Sequence, residues 1–187
     1  MTRLVLAPRW SGTAAHDWYP WLDGQLDDQL VVISPDDPDN PEVERWPKRI
    51  AEILSADPDA LAETVLIGHS VGCQAILRAA AQLNGGVVPA TLLVAGWWAV
   101  DEPWESILPW MEPPGPLGEI ASRLGTVRVL ISTDDPFTAD YRSNAEHWRN
   151  RLGAEVEIVA DARHFNQRHE PSVLAALREL LAAARSA

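Results

Sequence analysis

Gly68-His69-Ser70-Val71-Gly72 directly follows the apolar run Val65-Leu66-Ile67 and precedes a helix-like stretch, Val71 to Leu83. A strand, a sharp turn and a helix around G-x-S-x-G hold the serine hydroxyl out above a sheet edge, as a nucleophile elbow requires. Both glycines are steric requirements, because a side chain at either position would crowd the turn. A helix starting at the serine points its unpaired N–H groups and positive dipole end toward any oxyanion formed there. The chemistry open to such a residue is attack on a carbonyl carbon.

A serine at its ordinary pKa is a poor nucleophile and needs a base, which in turn needs an orienting partner. Of the five histidines, His164 follows the last apolar run in Asp161-Ala162-Arg163-His164-Phe165. Open α/β sheets carry their chemistry at this edge, where loops leave the carboxyl ends of the strands. His69 lies inside the elbow and points elsewhere if Ser70 points out. Beside the serine, it is counted with Trp97 and Trp98, which stand next to a strand end, among the expected substrate-pocket residues. The acid should leave the preceding strand, where Val127–Ser132 runs into Thr133-Asp134-Asp135-Pro136-Phe137. Spacing leaves Asp134 and Asp135 both open, since an Asp-Pro pair can also cap a turn.

These residues need elements to carry them. Short runs rich in Val, Ile and Leu at Leu4–Ala7, Leu30–Ile33, Thr64–Gly68, Thr91–Ala95, Val127–Ser132 and Glu155–Val159 read as parallel strands buried on both faces. Helix-like stretches near His16–Gln29, Glu42–Ala56, Val71–Leu83, Asp140–Leu152 and Ser172–Ala184 alternate with them. That alternation predicts one three-layer α/β/α domain over residues 1–187, with right-handed crossovers. Residues 96–126 hold four of the nine tryptophans and five of the 15 prolines. So many indoles demand burial, and we read this segment as a lid or pocket wall over the strand ends.

A net charge of −12 and a pI near 4.7 speak against nucleic acid or an anionic membrane as partner. No run approaches the 18 apolar residues of a membrane span, and the N-terminus lacks a signal-like apolar region. Cys73 is the single cysteine, so no internal disulfide can form and a cytoplasmic location is expected. Beside the elbow it reads as a packed thiol.

Serine, acid and histidine in that chain order is the order of α/β-hydrolases. The chain resembles the small serine-hydrolase family of retinoblastoma-binding protein 9 in four pieces: His16-Asp17-Trp18-Tyr19-Pro20-Trp21, Ile67-Gly68-His69-Ser70-Val71-Gly72, Ser132-Thr133-Asp134-Asp135-Pro136-Phe137 and His164-Phe165. The resemblance implies Ser70 as nucleophile, Asp135 as acid and His164 as base. It also implies a compact α/β-hydrolase fold with a six-stranded parallel sheet of order 2-1-3-4-5-6. An oxyanion hole would combine Val71 N–H with an N–H of Arg9 or Trp10. The loop holding that second donor, Pro8-Arg9-Trp10-Ser11-Gly12, has one glycine where relatives are often glycine-rich.

The function expected is hydrolysis of an ester or related acyl bond of a small apolar substrate, with no metal or organic cofactor. Two alternatives use the same features. The triad could pass the acyl group to an amine or alcohol, or the fold could serve as a non-catalytic binder through the Trp-rich segment.

Overall fold

The computed structural model describes residues 2–186. Six strands, β1 (Arg3–Ala7), β2 (Gln29–Val32), β3 (Thr64–His69), β4 (Ala90–Val94), β5 (Thr126–Ser132) and β6 (Glu155–Val159), form one sheet in the order 2-1-3-4-5-6. All pairings are parallel. Ala7 lies opposite Gly68 and His69 opposite Val94, so the loops after β1, β3 and β4 leave one edge side by side.

The helices are α1 (Tyr19–Asp23), α2 (Arg45–Ser55), α3 (Pro58–Leu61), α4 (Val71–Ala81), α5 (Leu108–Met111), α6 (Leu117–Arg123), α7 (Tyr141–Leu152) and α8 (Pro171–Ala184). Side chains alternate across a strand, so each strand feeds two cores. Leu4, Leu6, Val65, Ile67, Leu92 and Val94 pack against Trp18, Tyr19 and Leu22 and against Val173 and Leu177 of α8. Val5, Ala7, Leu66 and Leu93 face Ile50 and Leu54 of α2, Ile76 and Leu77 of α4, and Trp148 of α7. The sheet is thus covered on both sides, which is why its central strands carry no polar alternation. Among the described residues no helix is long and apolar enough to cross a membrane.

Local signals account for the ends of several helices. Pro171 opens α8, where its missing N–H has no partner to lose. The Asp140 carboxylate caps α7 by accepting from Ser143 N at 3.0 Å. The long helix expected over His16–Gln29 is a single short one. Asp17 has φ +51, which breaks a helix before it, and Pro20 fits only in a first turn. Missed entirely was α3, capped by the Asp57 carboxylate on Ala60 N at 3.1 Å.

The segment 96–126 is more regular than its composition suggests. It holds a 3-10 turn at Glu105–Ile107 followed by α5 and α6. In it α6 is the crossover helix, with Ile120 buried, and the turn and α5 bury Ile107 and Trp110 in the same core.

Candidate active site

The elbow is built by two close approaches of backbone. A Cβ on Gly72 would lie 2.1 Å from Ala7 O, and one on Gly68 would lie 2.7 Å from Cys73 Cα. The first approach brings the start of α4 against the end of β1, and the second folds α4 back over β3. Ser70 takes φ +55 and ψ −120, a left-handed conformation that an L-residue holds only at a cost of about 1–3 kcal/mol. Its N–H donates to Val94 O at 2.9 Å, and its carbonyl accepts from Cys73 N at 2.9 Å. Seven non-glycine residues among those described have positive φ. All lie in loops at this edge, and three of them, Asp161, Arg163 and Phe165, alternate along the loop that carries His164.

Ser70 and His164 line one cleft of about 230 Å³. His164 Nδ1 donates to Asp135 Oδ2 at 2.8 Å, and Asp135 Oδ1 accepts from Phe137 N at 3.0 Å. With the proton on Nδ1, a neutral His164 keeps the lone pair on Nε2. The Phe137 ring stands edge-on to the imidazole at 4.8 Å. Asp134 has a different occupation. Its Oδ1 accepts from Ser132 Oγ and from Arg163 N, both at 2.7 Å, and those bonds, the hydroxyl first, hold its pKa below the usual carboxylate value. Asp134 therefore ties the His164 loop to the end of β5 without touching the imidazole. The other histidine of that loop, His169, is exposed and meets Trp21 edge-on at 5.5 Å.

His69 is not a pocket residue, contrary to the expectation from its place in the elbow. It is fully buried and both ring nitrogens are engaged: Nε2–H donates to His164 O at 2.9 Å, and Nδ1 accepts from Tyr19 Oη–H at 2.7 Å. A carbonyl can only accept, so the proton must sit on Nε2. Burial, and next the neighbouring His164, push the His69 pKa well below its usual value and keep the ring neutral. Burial likewise raises that of Tyr19. Tyr19 Oη in turn accepts from Arg9 N at 3.1 Å. A buried line of hydrogen bonds thus runs from the first loop to the His164 loop.

That line also separates the two candidate donors of the first loop. The backbone N–H of Arg9 is occupied by Tyr19, which corrects the reading that it points into the cleft. Trp10 N–H has no hydrogen-bond partner among the described residues. Val71 N–H, first in α4, has no carbonyl one turn back to bond. Both Trp10 and Val71 line the cleft. Arg9 contributes its side chain instead, pairing with Asp17 at 2.6 Å. Burial, the largest single effect, lowers the guanidinium pKa, but the hydrogen bond and the charge of Asp17 together outweigh it and the pKa is raised.

The aromatic residues divide by side. Trp97 lines the cleft, and its Nε1–H reaches Ser70 Oγ at 3.5 Å. Trp98 points the other way, against Trp148 of α7 at 4.8 Å with the Arg151 guanidinium over its ring, so it is no part of the pocket. The Asn144 side chain secures this turn by accepting from Trp98 N at 2.7 Å. Trp104 lines the cleft and meets Trp10 edge-on at 5.4 Å across its rim, whereas Trp110 is buried against Trp46. Val100, Ile107, Phe137 and Asn166 complete the walls, none of them singled out from the sequence. Cys73 is buried with its thiol on Val94 O, and burial raises its pKa, the reverse of what a thiolate nucleophile needs.

Two more residues carry no motif that would single them out in the sequence. Gln74 and Arg78 are polar positions in a helix whose residues 71–80 are all buried. That mismatch was the available signal.

Sheet order, crossovers and a nucleophile-elbow turn define an α/β-hydrolase fold. The chain belongs to the serine hydrolase family, whose model matches residues 4–182. The crystal structure of the ydeN gene product from B. subtilis has the same fold, with a TM-score of 0.86, 19% identity, and coverage of 97% of this chain and 100% of that one. A carboxylesterase from Nitrososphaera gargenis follows at TM-score 0.72 and 13% identity, covering 99% of this chain and 91% of that one. The RedJ thioesterase of the prodiginine pathway in Streptomyces coelicolor gives TM-score 0.68 and 16% identity, covering 97% and 85%. No curated protein matches the sequence.

Proposed function

We propose that the protein hydrolyses an ester or thioester of a small, apolar acyl group through Ser70, His164 and Asp135. The observation that carries this reading is the 2.8 Å bond from His164 Nδ1 to a buried Asp135, in a cleft shared with Ser70. His164 Nε2 takes the Ser70 Oγ proton as Oγ attacks the carbonyl carbon. Asp135 fixes the imidazole tautomer and stabilises the imidazolium. The tetrahedral oxyanion accepts from Val71 N–H and Trp10 N–H, each donor contributing on the order of 10²–10³ in rate. The imidazolium then protonates the leaving alcohol or thiol as its bond to carbon breaks. Water, deprotonated by the same Nε2, releases the acid and restores Ser70. These steps call on no metal or organic cofactor.

Within the serine hydrolase family, four segments resemble the group of retinoblastoma-binding protein 9, and that resemblance supports the assignment of Ser70, Asp135 and His164. The cleft walls from segment 96–126, Trp97, Val100, Trp104 and Ile107, suit a small apolar molecule and give that segment the role of a lid. The acidic surface suits neither a nucleic acid nor an anionic membrane, and a lone buried thiol fits a cytoplasmic setting. The test is turnover of p-nitrophenyl butyrate and of butyryl thioester. Wild type should turn over at least one of them and Ser70→Ala neither; equal rates for the two proteins would end this reading.

A further inference from the structure

On one face of α4, Ser70, Gln74 and Arg78 stand four residues apart, stacked along the helix. Arg78 is buried, only 8% exposed, and no carboxylate lies within 4.0 Å of it among the described residues. It spends its donors on carbonyls instead. Nη2 bonds Pro109 O at 3.0 Å, Trp110 O at 3.2 Å and Glu112 O at 2.6 Å, with the guanidinium 5.3 Å from the Trp110 ring centre. Burial lowers its pKa to about 10, which leaves it charged at neutral pH.

Those carbonyls belong to the end of α5, a four-residue helix far too short to persist unaided. Its last carbonyls have no partners of their own, and a cation there is favourable in the helix-dipole sense. Just before α5, the 3-10 turn and its N-terminal flank supply Ile107 and Trp104 to the cleft. Arg78 also donates from Nη1 to Gln74 Oε1 at 3.1 Å, which turns the Gln74 amide so that Nε2 donates to Trp97 O at 2.6 Å. Two walls of the cleft are therefore held by one arginine that does not reach the cleft. At about 230 Å³ the cleft is smaller than the roughly 300–1,000 Å³ of pockets that hold drug-sized ligands, which favours short acyl groups.

We propose that Arg78 is a specificity-determining positioning residue: by pinning α5 and, through Gln74, Trp97, it closes the cleft down to short acyl groups of about four to six carbons. This rests on the reading of Ser70 as the nucleophile toward acyl substrates. Removing the guanidinium frees the carbonyls of residues 109–112 to turn to water, lets Trp104 and Ile107 move outward, and lengthens the cleft.

The experiment measures kcat and KM of wild type, Arg78→Met and Arg78→Lys on p-nitrophenyl esters of two to twelve carbons, with hydrogen exchange read on peptides spanning 104–112. Wild type should peak at four to six carbons. In Arg78→Met the ratio of kcat/KM for the eight-carbon to the four-carbon ester should rise about tenfold, mostly through KM. Exchange should quicken in 104–112 and not in the strands. A merely structural role would scale all esters by one factor, and an unchanged chain-length profile in folded Arg78→Met would overturn the proposal. If that variant does not fold, Arg78→Lys, which keeps the charge but reaches fewer carbonyls, decides: a smaller shift in the same direction supports the proposal and no shift overturns it. A wild type inert to every ester and unlabelled by fluorophosphonate would instead show that the underlying reading had failed.

Discussion

His69 donates its Nε2–H to the backbone carbonyl of His164 at 2.9 Å, so the residue beside Ser70 in the elbow holds the loop that brings the imidazole to the cleft. Through Tyr19 the same ring reaches the first loop at Arg9. Three loops that are far apart in sequence are thereby registered to one another by buried, fully paired polar groups.

Replacing His69 with Phe leaves the Tyr19 hydroxyl and the His164 carbonyl buried without these partners. Stability should fall by about 2 kcal/mol or more, read as a melting temperature roughly 4–8 °C lower. Turnover should slow as well, because the base loses its anchor. An unchanged melt would contradict the role given to this bond.

The same residue predicts a pH effect. His69 is held neutral in the folded state, whereas in the unfolded chain it titrates near 6.5. Below about pH 6.5 the unfolded chain binds a proton that the native state refuses, so this contribution to stability is present above that pH and lost as pH falls. The loss is at most about 1.4 kcal/mol per pH unit. Glu170, whose pKa burial raises, acts in the opposite sense but is common to both proteins in a comparison with His69→Gln. Denaturant titrations of wild type and His69→Gln at pH 5 to 8 should therefore diverge on the acid side, wild type losing more.

The two neighbouring aspartates should separate cleanly. Asp135→Asn presents the wrong tautomer to Ser70 and should lower kcat by about 10⁴. Asp134→Asn keeps an oxygen for Ser132 and Arg163 and should slow turnover far less. If the Asp134 variant were the more damaged, the acid would have been assigned to the wrong residue.

Gly72 should tolerate no side chain. Its Cβ would meet Ala7 O at 2.1 Å and Pro8 O at 2.6 Å, both backbone atoms that cannot yield without separating α4 from β1. Gly72→Ala should cost at least about 3 kcal/mol, within the range reserved for overpacking and strain. Gly118, in α6, is the control, because a Cβ there would meet nothing within 4 Å. Gly118→Ala should be neutral or stabilise by up to about 1 kcal/mol.

Much of this architecture is legible in the chain because it rests on local stereochemistry. Buried parallel strands need unbroken Val, Ile and Leu runs, and the elbow needs Gly68 and Gly72 around Ser70. The path of the chain beyond a strand end is harder to read. Trp97 and Trp98 are chemically equal in sequence, and only the turn after β4, with Ala95 at φ +49, sends one to the cleft and the other to α7. Whether Arg9 or Trp10 keeps a free N–H depends on the Tyr19 hydroxyl folding back from the start of α1, which no local pattern announces. His69 misleads for the same reason, since its partners lie 50 and 95 residues away. Gln74 and Arg78 stand out only as polar interruptions of an apolar helix, and such positions signal a buried network without naming what it holds.

The central claim is that Ser70 carries the reactive hydroxyl. Incubation with diisopropyl fluorophosphate, followed by intact mass and peptide mapping, tests it without knowledge of the natural substrate. One phosphoryl adduct should appear on the peptide containing Ser70, be absent from Ser70→Ala, and form far more slowly in His164→Ala. An adduct that persists in Ser70→Ala, or a wild type that takes none, would contradict the account.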